Sequence, residues 1–491
     1  MNAPNKAPNK EKPSETHKSH TVEKIGGTSM NDYMAVRDNI IKSGEPNGRI
    51  LVVSAYGGIT NKLLEQKHTG EPGVYALFAN ADEDNAWREA LLQVRATMHE
   101  INAELFGAGD LQAQANRFID ARLDDAESCL SDLRRLCQHG HFTLEQHLQT
   151  VREMLASLGE AHSAWNTAHL LQRDGFDAPL VDLTGWQSNE PRPLDDTIRQ
   201  ALASVDLERQ LPVVTGYCYC EEGLMSSFDR GYSEMTFSRI AVLSGAAEAI
   251  IHKEYHLSSA DPRLVGEDKV VPIGRTNYDV ADHLANLGME AIHPRAAKGL
   301  RQSDIPLRVR NTFQPEHAGT LITRDYVSEK PCVEIIVGRR DVYALELFAQ
   351  DMMGSIHDYD RQFLDVIRRY RAQVITKDIN ANTITHYLST NLKTVKRMRR
   401  ELQAIYPDAE LNQRKVAIVS AIGSDMQVPG MLASTVDALA KSKISVLAIH
   451  QSMRQVDIQF VVDEGDYQEA VRSLHRCLVE VHDHGVAICA A

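Results

Sequence analysis

The sequence predicts an α/β protein: a domain with a mainly parallel central sheet, followed by two ferredoxin-like βαββαβ modules. Three observations carry this expectation. Short apolar runs alternate with helical patterns between residues 21 and 325, the arrangement of parallel sheets. Two of the runs empty into glycine pairs flanked by hydroxyls. From residue 415 the order reads strand, helix, strand, strand, helix, strand, and residues 332–412 repeat it less cleanly.

The elements follow in order. Residues 1–20 repeat Ala-Pro-Asn-Lys without an apolar core and are expected to form a disordered tail, neither a signal peptide nor a membrane span. Residues 21–61 read strand, loop, helix, strand, loop. Residues 74–172 have helical spacing, with Leu123, Ala126, Leu130, Leu133 and Leu136 recurring on one face. Further strands are expected at 178–183, 211–219, 249–252 and 307–311, where the domain closes by residue 325. Residues 326–331 read as a linker. The first module spans 332–412, with a strand at 332–337, helices to 371, strands at 372–378 and 383–388, and a helix from 392. The second spans 413–491, with strands at 416–420, 444–451, 456–462 and 486–489 and helices at 429–442 and 466–480.

Composition narrows the function classes. At 491 residues the chain exceeds one core, and 43% hydrophobic with 24% charged residues is ordinary for a globular protein. A net charge of −14 argues against a nucleic-acid surface. The seven cysteines are scattered without metal spacing and read as reduced thiols of a cytoplasmic protein. The basic cluster Lys393, Lys396, Arg397, Arg399 and Arg400 reads as a solvated helix face.

Two loops carry the chemistry. Lys24-Ile25-Gly26-Gly27-Thr28-Ser29 follows the first strand, and Ser54-Ala55-Tyr56-Gly57-Gly58-Ile59-Thr60-Asn61 follows the second. Glycines admit an anion close to the backbone, amide groups converge on phosphate oxygens, and Lys24 adds a full positive charge. Either loop alone also fits a plain turn. Ends of parallel strands lie at one edge of a sheet, so the pair can line one cleft.

With these motifs the chain resembles the aspartate kinases of the amino-acid kinase superfamily. Further motifs in the family's order are Ser157-Leu158-Gly159-Glu160, Asp229-Arg230-Gly231-Tyr232-Ser233-Glu234, Ala260-Asp261-Pro262-Arg263, Ala291-Ile292-His293-Pro294 and Pro306 through Leu321. The resemblance implies an amino-acid-kinase sandwich with paired ACT-type modules. It implies transfer of the ATP γ-phosphoryl group to the side-chain carboxylate of L-aspartate, with Mg2+ on the phosphates. It places Lys24 in catalysis, and Lys24, Gly26, Gly27, Thr28, Ser29, Gly57, Gly58 and Arg263 on the ATP side. Ser54, Thr60, Glu160, Arg230 and Ser233 would bind aspartate, with Arg230 on its carboxylate and Glu160 on its ammonium group. His293 reads as a residue packed at a helix start.

The chain departs from the family pattern at Tyr232, Glu234, Lys253, Ser258 and Glu290, mostly on the nucleotide side. This divergence is similar to the subgroup associated with ectoine synthesis. Two alternatives stay open: an amino-acid kinase with another carboxylate acceptor, and a catalytically weak ACT-domain amino-acid sensor. The modules imply a homodimer or higher homo-oligomer and an amino-acid effector site, for which the loop 423–430 is the candidate because it opens a helix.

Overall fold

The computed structural model describes residues 20–66, 69–80, 85–139, 141–186, 188, 190–228, 231–289 and 291–481. The expected tail up to residue 19, Arg230, Glu290 and the strand expected at 486–489 lie outside them.

One sheet organises the first 325 residues. It comprises β1 (Thr21–Ile25), β2 (Arg49–Val53), β3 (Leu180–Val181), β4 (Val213–Thr215), β5 (Glu248–Lys253), β6 (Arg275–Asn277), β7 (Leu307–Asn311) and β8 (Thr320–Thr323), in the order β3-β4-β2-β1-β5-β7-β8-β6. Every pairing is parallel except that of β7 with β8. All five residues of β2 are buried, as a strand covered on both faces requires. The strand expected at 211–219 ends at Thr215, so the buried Cys218 and Cys220 follow it in irregular backbone.

Helices cover this sheet. The helical stretch expected at 74–172 becomes Val74–Asn80, Ala86–Phe106, Asp110–Cys137 and Leu148–Arg173. Leu123, Ala126 and Leu130 face inward as expected, whereas Leu136 is 45% exposed because it sits where the helix runs out past its support. The helix Leu148–Arg173 is buried over most of its length and packs on β4.

The C-terminal part departs from two separate modules. Its strands are β9 (Ile335–Phe348), β10 (Gln373–Ile379), β11 (Thr383–Ser389), β12 (Glu410–Ile422), β13 (Val446–Gln451) and β14 (Asp457–Asp463). They form one antiparallel sheet in the order β10-β11-β9-β12-β14-β13. The stretch 338–348, expected to be helical, continues β9, where Leu345 and Leu347 are buried at period two. The break expected between 412 and 413 falls inside β12, which pairs with β9 from Glu410 to Ile422. The upper half of β9 completes the first βαββαβ unit. Its start, Ile335–Arg339, lies beside the second half of β12, in the second unit's sheet. The helix expected at 429–442 is Met431–Lys441, capped by Gly430 at φ +89°, so Pro429 precedes it. The helix Leu392–Ile405 buries Val395, Met398 and Leu402 and leaves its five basic residues in solvent, as expected.

One apolar cluster joins the two parts. Leu257, Val265, Ile273, Val280 and Leu284 from the first 325 residues share it with Ile418, Phe460, Val461 and Leu474.

Candidate active site

The parallel strands bring the loops after β1, β2, β4, β5 and β7 to one edge of the sheet. Beneath that edge lies a buried charge cluster that sequence reasoning missed. Arg49 Nε and Nη2 donate to Glu23 Oε1 and Oε2, each at 2.7 Å, and His252 Nε2 lies 2.8 Å from Glu23 Oε2. Arg49 also donates to the carbonyls of Ile40 and Ile41. Burial pushes the Glu23 carboxyl up, but hydrogen bonds from His252 and Arg49 overcome it and hold the group well below the usual carboxylate range. These three residues stand on neighbouring strands, directly under the Lys24 loop.

Lys24, at the end of β1, is buried, with Nζ 3.6 Å from Glu234 Oε1. Burial raises the Glu234 carboxyl, but Lys24, Lys253 and the His293 N–H together hold it below its usual range. His293 caps the helix Pro294–Gln302 by accepting from Arg295 N at 3.3 Å, the packing role expected of it.

A cavity of about 890 Å³ opens beside Lys24. Gly26, Gly27, Thr28, Ser29 and Arg263 line it, with Lys253 and Glu234. This size is in the range of pockets that enclose a drug-sized ligand. Gly57 and Gly58, expected on the phosphate side, do not line it. Two expected backbone donors are already engaged: Gly26 N donates to His252 O at 3.0 Å, and Gly57 N to Asn31 Oδ1 at 2.8 Å. The donor role expected of these two glycines is therefore corrected to shaping the loops. A Cβ on Gly27 would stand 2.8 Å from Ala55 O, so this glycine lets the two loops touch. Gly58 has φ +88° and opens the short helix Ile59–Leu63 that carries Thr60. Asn31 was not singled out from sequence; its place shortly after the first glycine loop was the available signal.

Of the expected aspartate-side residues, Ser233 and Glu160 meet at Gly216. A Cβ there would stand 2.7 Å from Ser233 Cβ and 2.9 Å from Glu160 Oε2. Ser163, one turn beyond Glu160, donates to Ser54 O at 2.8 Å. Gly159 lets the long helix approach the second loop, since its Cβ would meet Ala55 Cβ at 2.8 Å and Ile59 Cγ2 at 3.2 Å. Glu160 Oε2 is buried without a hydrogen-bond partner among the described residues. Burial pushes the Glu160 carboxyl up to about 8, against the pull of Lys24 and hydrogen bonds at Tyr232, Ala55 and Tyr217. An orphaned buried carboxylate oxygen is an unfilled demand for a donor or a cation. Arg230 lies outside the described residues, so its expected place on the substrate carboxylate stays an expectation.

Among the described residues no group of three or more His, Cys, Asp or Glu is arranged to hold a metal. A hard dication bound mainly through phosphate oxygens and water needs no such cluster. No described helix is long and apolar enough to cross a membrane.

Residues 20–311 match the model of the Amino acid kinase family, and residues 419–478 match an ACT domain. The chain is 57% identical over 477 residues to Aspartate kinase Ask_Ect of Stutzerimonas stutzeri (strain A1501), covering 96% of this chain and 100% of that protein. It is 25% identical to Aspartokinase 2, chloroplastic, of Arabidopsis thaliana, over 94% of this chain and 84% of the relative. In fold it is similar to E. coli aspartokinase III in complex with aspartate and ADP (R-state), with a TM-score of 0.71 at 21% identity. That likeness covers 94% of this chain and 99% of the other.

Proposed function

The chain belongs to the amino acid kinase family and, within it, to the aspartate kinases; from that premise we propose how its cleft works. The protein phosphorylates the side-chain carboxylate of L-aspartate with ATP, giving 4-phospho-L-aspartate. The observation that carries the mechanism is the position of Lys24, common to the cavity with Gly27, Thr28, Ser29 and Arg263 and to the carboxylate of Glu160.

The acceptor is already an anion near neutral pH, so no general base is required. The obstacle is the approach of two anions. Catalysis then rests on positioning and on positive charge at the transferred group. Lys24 supplies that charge, held by Glu234 at 3.6 Å until phosphate displaces the pairing. Lys253, a departure from the family pattern, lines the same cavity and adds attraction for a polyphosphate. Gly27, Thr28 and Ser29 present first-turn amides without an acceptor inside their own helix. Glu234, one of the carboxylates lining the cavity, would help to hold Mg2+, which would supply further positive charge to the phosphates.

Glu160 receives the substrate ammonium group, Thr60, Ser54 and Ser233 complete the polar cradle, and Arg230 takes the α-carboxylate. The paired modules take an amino-acid effector. Within the loop 423–430, Gly423, Ser424, Met426, Gln427 and Val428 already donate their amides internally, so an effector there has to displace existing bonds. The protein works in the cytoplasm, and its likeness to the Ask_Ect relative supports a place in ectoine synthesis.

The test is ATP-dependent acyl hydroxamate formation with L-aspartate, L-glutamate and N-acetyl-L-glutamate. Product with L-aspartate alone is expected. Turnover with either of the others in preference would replace this reading by a kinase of another acceptor, and no turnover with any would favour a sensor.

A further inference from the structure

The cavity beside Lys24 has two walls from different parts of the chain. The first 325 residues contribute Lys24, Ser29, Lys253 and Arg263 to its lining, together with the carboxylates of Glu234 and Asp261. The C-terminal part contributes Ile336, Val337 and Gly338 of β9 and Tyr467 and Val471 of the helix Tyr467–Leu478.

The helix is fastened in this position. Arg472 Nε donates to Leu264 O at 2.7 Å, and His475 Nε2 lies 2.9 Å from Ser259 Oγ. Ile336 N donates to Ser259 O at 2.8 Å. These bonds grip the segment 259–264 after β5 from both β9 and the helix. Tyr467 is held as well: its hydroxyl donates to Gly338 O at 3.1 Å, and Gly338 has no side chain to push its ring away, since a Cβ there would stand 2.6 Å from Tyr467 Cε2.

A nucleoside triphosphate has an anionic end and a flat, largely apolar end. Its phosphates match the cations Lys24 and Lys253 of this cavity, and its base matches the apolar and aromatic lining that the C-terminal part supplies. We propose that the C-terminal module supplies part of the binding wall for the nucleoside of ATP, through Tyr467 and Val471 with Val337. This rests on the reading of the cavity as the ATP site. The ACT-type sheet then touches the nucleotide directly, and any ligand that shifts the helix Tyr467–Leu478 changes nucleotide affinity by linkage.

The experiment uses the full-length protein with ADP and with inorganic tripolyphosphate, which has charge but no base. Binding is read by calorimetry in the wild type, Tyr467→Ala, Tyr467→Leu and Arg263→Ala, with thermal denaturation of each. Tyr467→Leu keeps buried apolar volume and serves if Tyr467→Ala does not fold. Loss of the aromatic face is expected to weaken ADP about tenfold, the scale of one base–aromatic contact, and to leave tripolyphosphate unchanged. Unchanged ADP affinity in Tyr467→Leu overturns the inference, and so does equal weakening of both ligands. If Arg263→Ala alters neither ligand and tripolyphosphate does not compete with ADP in the wild type, the cavity is not the ATP site and the underlying reading fails instead.

Discussion

At the scale of residues, the proposed chemistry turns on two side chains. In the proposed mechanism Lys24 supplies the charge at the transferred group, so Lys24→Ala is expected to lower turnover by about two to three orders of magnitude, the range for losing one transition-state donor. Steady-state kinetics checks this, and near wild-type turnover removes Lys24 from catalysis. Glu160 sets a pH dependence. Its carboxyl is raised to about 8 in the folded, ligand-free protein, against an ordinary value of 4.5. Below the ordinary value both folded and unfolded chains hold the proton, and burial costs nothing in charge. As pH rises toward 8, the unfolded chain releases its proton first and the folded state loses stability relative to it. Glu160→Gln is therefore expected to raise the melting temperature at pH 8, with the gain shrinking toward acid. In the wild type, an aspartate ammonium paired with Glu160 favours the ionised form. Aspartate binding is then expected to release a proton and to tighten between pH 6 and 8. Calorimetry in buffers of different ionisation enthalpy reads that proton; zero release at pH 7 contradicts the pairing.

Elements place these residues, and the long helix Leu148–Arg173 shows how. Gly159 carries two opposing effects when changed to alanine. Helix propensity favours alanine by about 1 kcal/mol. Crowding of Ala55 and Ile59 in a close-packed interior costs about 1–3 kcal/mol. The second term is expected to prevail, because Ala55 stands on a short loop held at both ends by strand and helix. Gly159→Ala is thus expected to destabilise the protein modestly in urea and to raise the aspartate KM while leaving ADP affinity nearly unchanged. An equal loss of ADP affinity shows that the helix supports the phosphate loop as well. The buried Arg49–Glu23 pair ties β2 to β1. Removing one partner leaves an uncompensated charge and costs about 3–5 kcal/mol.

The whole molecule is less divisible than a kinase domain with appended modules. Leu257, Val265, Ile273, Val280 and Leu284 bury their side chains in a cluster completed by C-terminal strands and helices. Deleting residues 332–491 is expected to leave this surface exposed, giving a kinase fragment that binds a hydrophobic dye and aggregates. A soluble, cooperatively melting fragment contradicts this. The full chain is expected to be at least a dimer. The six-stranded sheet ends in β10 and β13, whose outer backbone groups can pair across a two-fold axis, and β13 leaves Leu447 and Ile449 about two-fifths exposed. Sedimentation of a monomer at micromolar concentration rules the assembly out. Regulation is checked by aspartate kinetics with lysine and threonine, singly and together, where unchanged kinetics excludes both as effectors.

The sequence by itself determined the family, the parallel sheet and the positions of the two glycine loops. These are local signals: a lysine and two glycines at the end of an apolar run have the same meaning wherever the chain goes next. Glu160 and Ser233 were legible through short motifs in the same way. Tertiary structure alone decided what those residues meet. That Gly26 and Gly57 give their amides to His252 and Asn31 depends on partners far apart in sequence. The single sheet shared by both C-terminal units was hidden because the stretch 338–348 is a strand through its pairing with β11 and β12, both distant in sequence. The walls of the cavity, drawn from residues near 24, 263 and 467, come together only because the C-terminal helix is pinned to the loop after β5. Hydrogen bonds and buried contacts between distant segments carry no local mark in the chain, so folding has to be complete before they can be read.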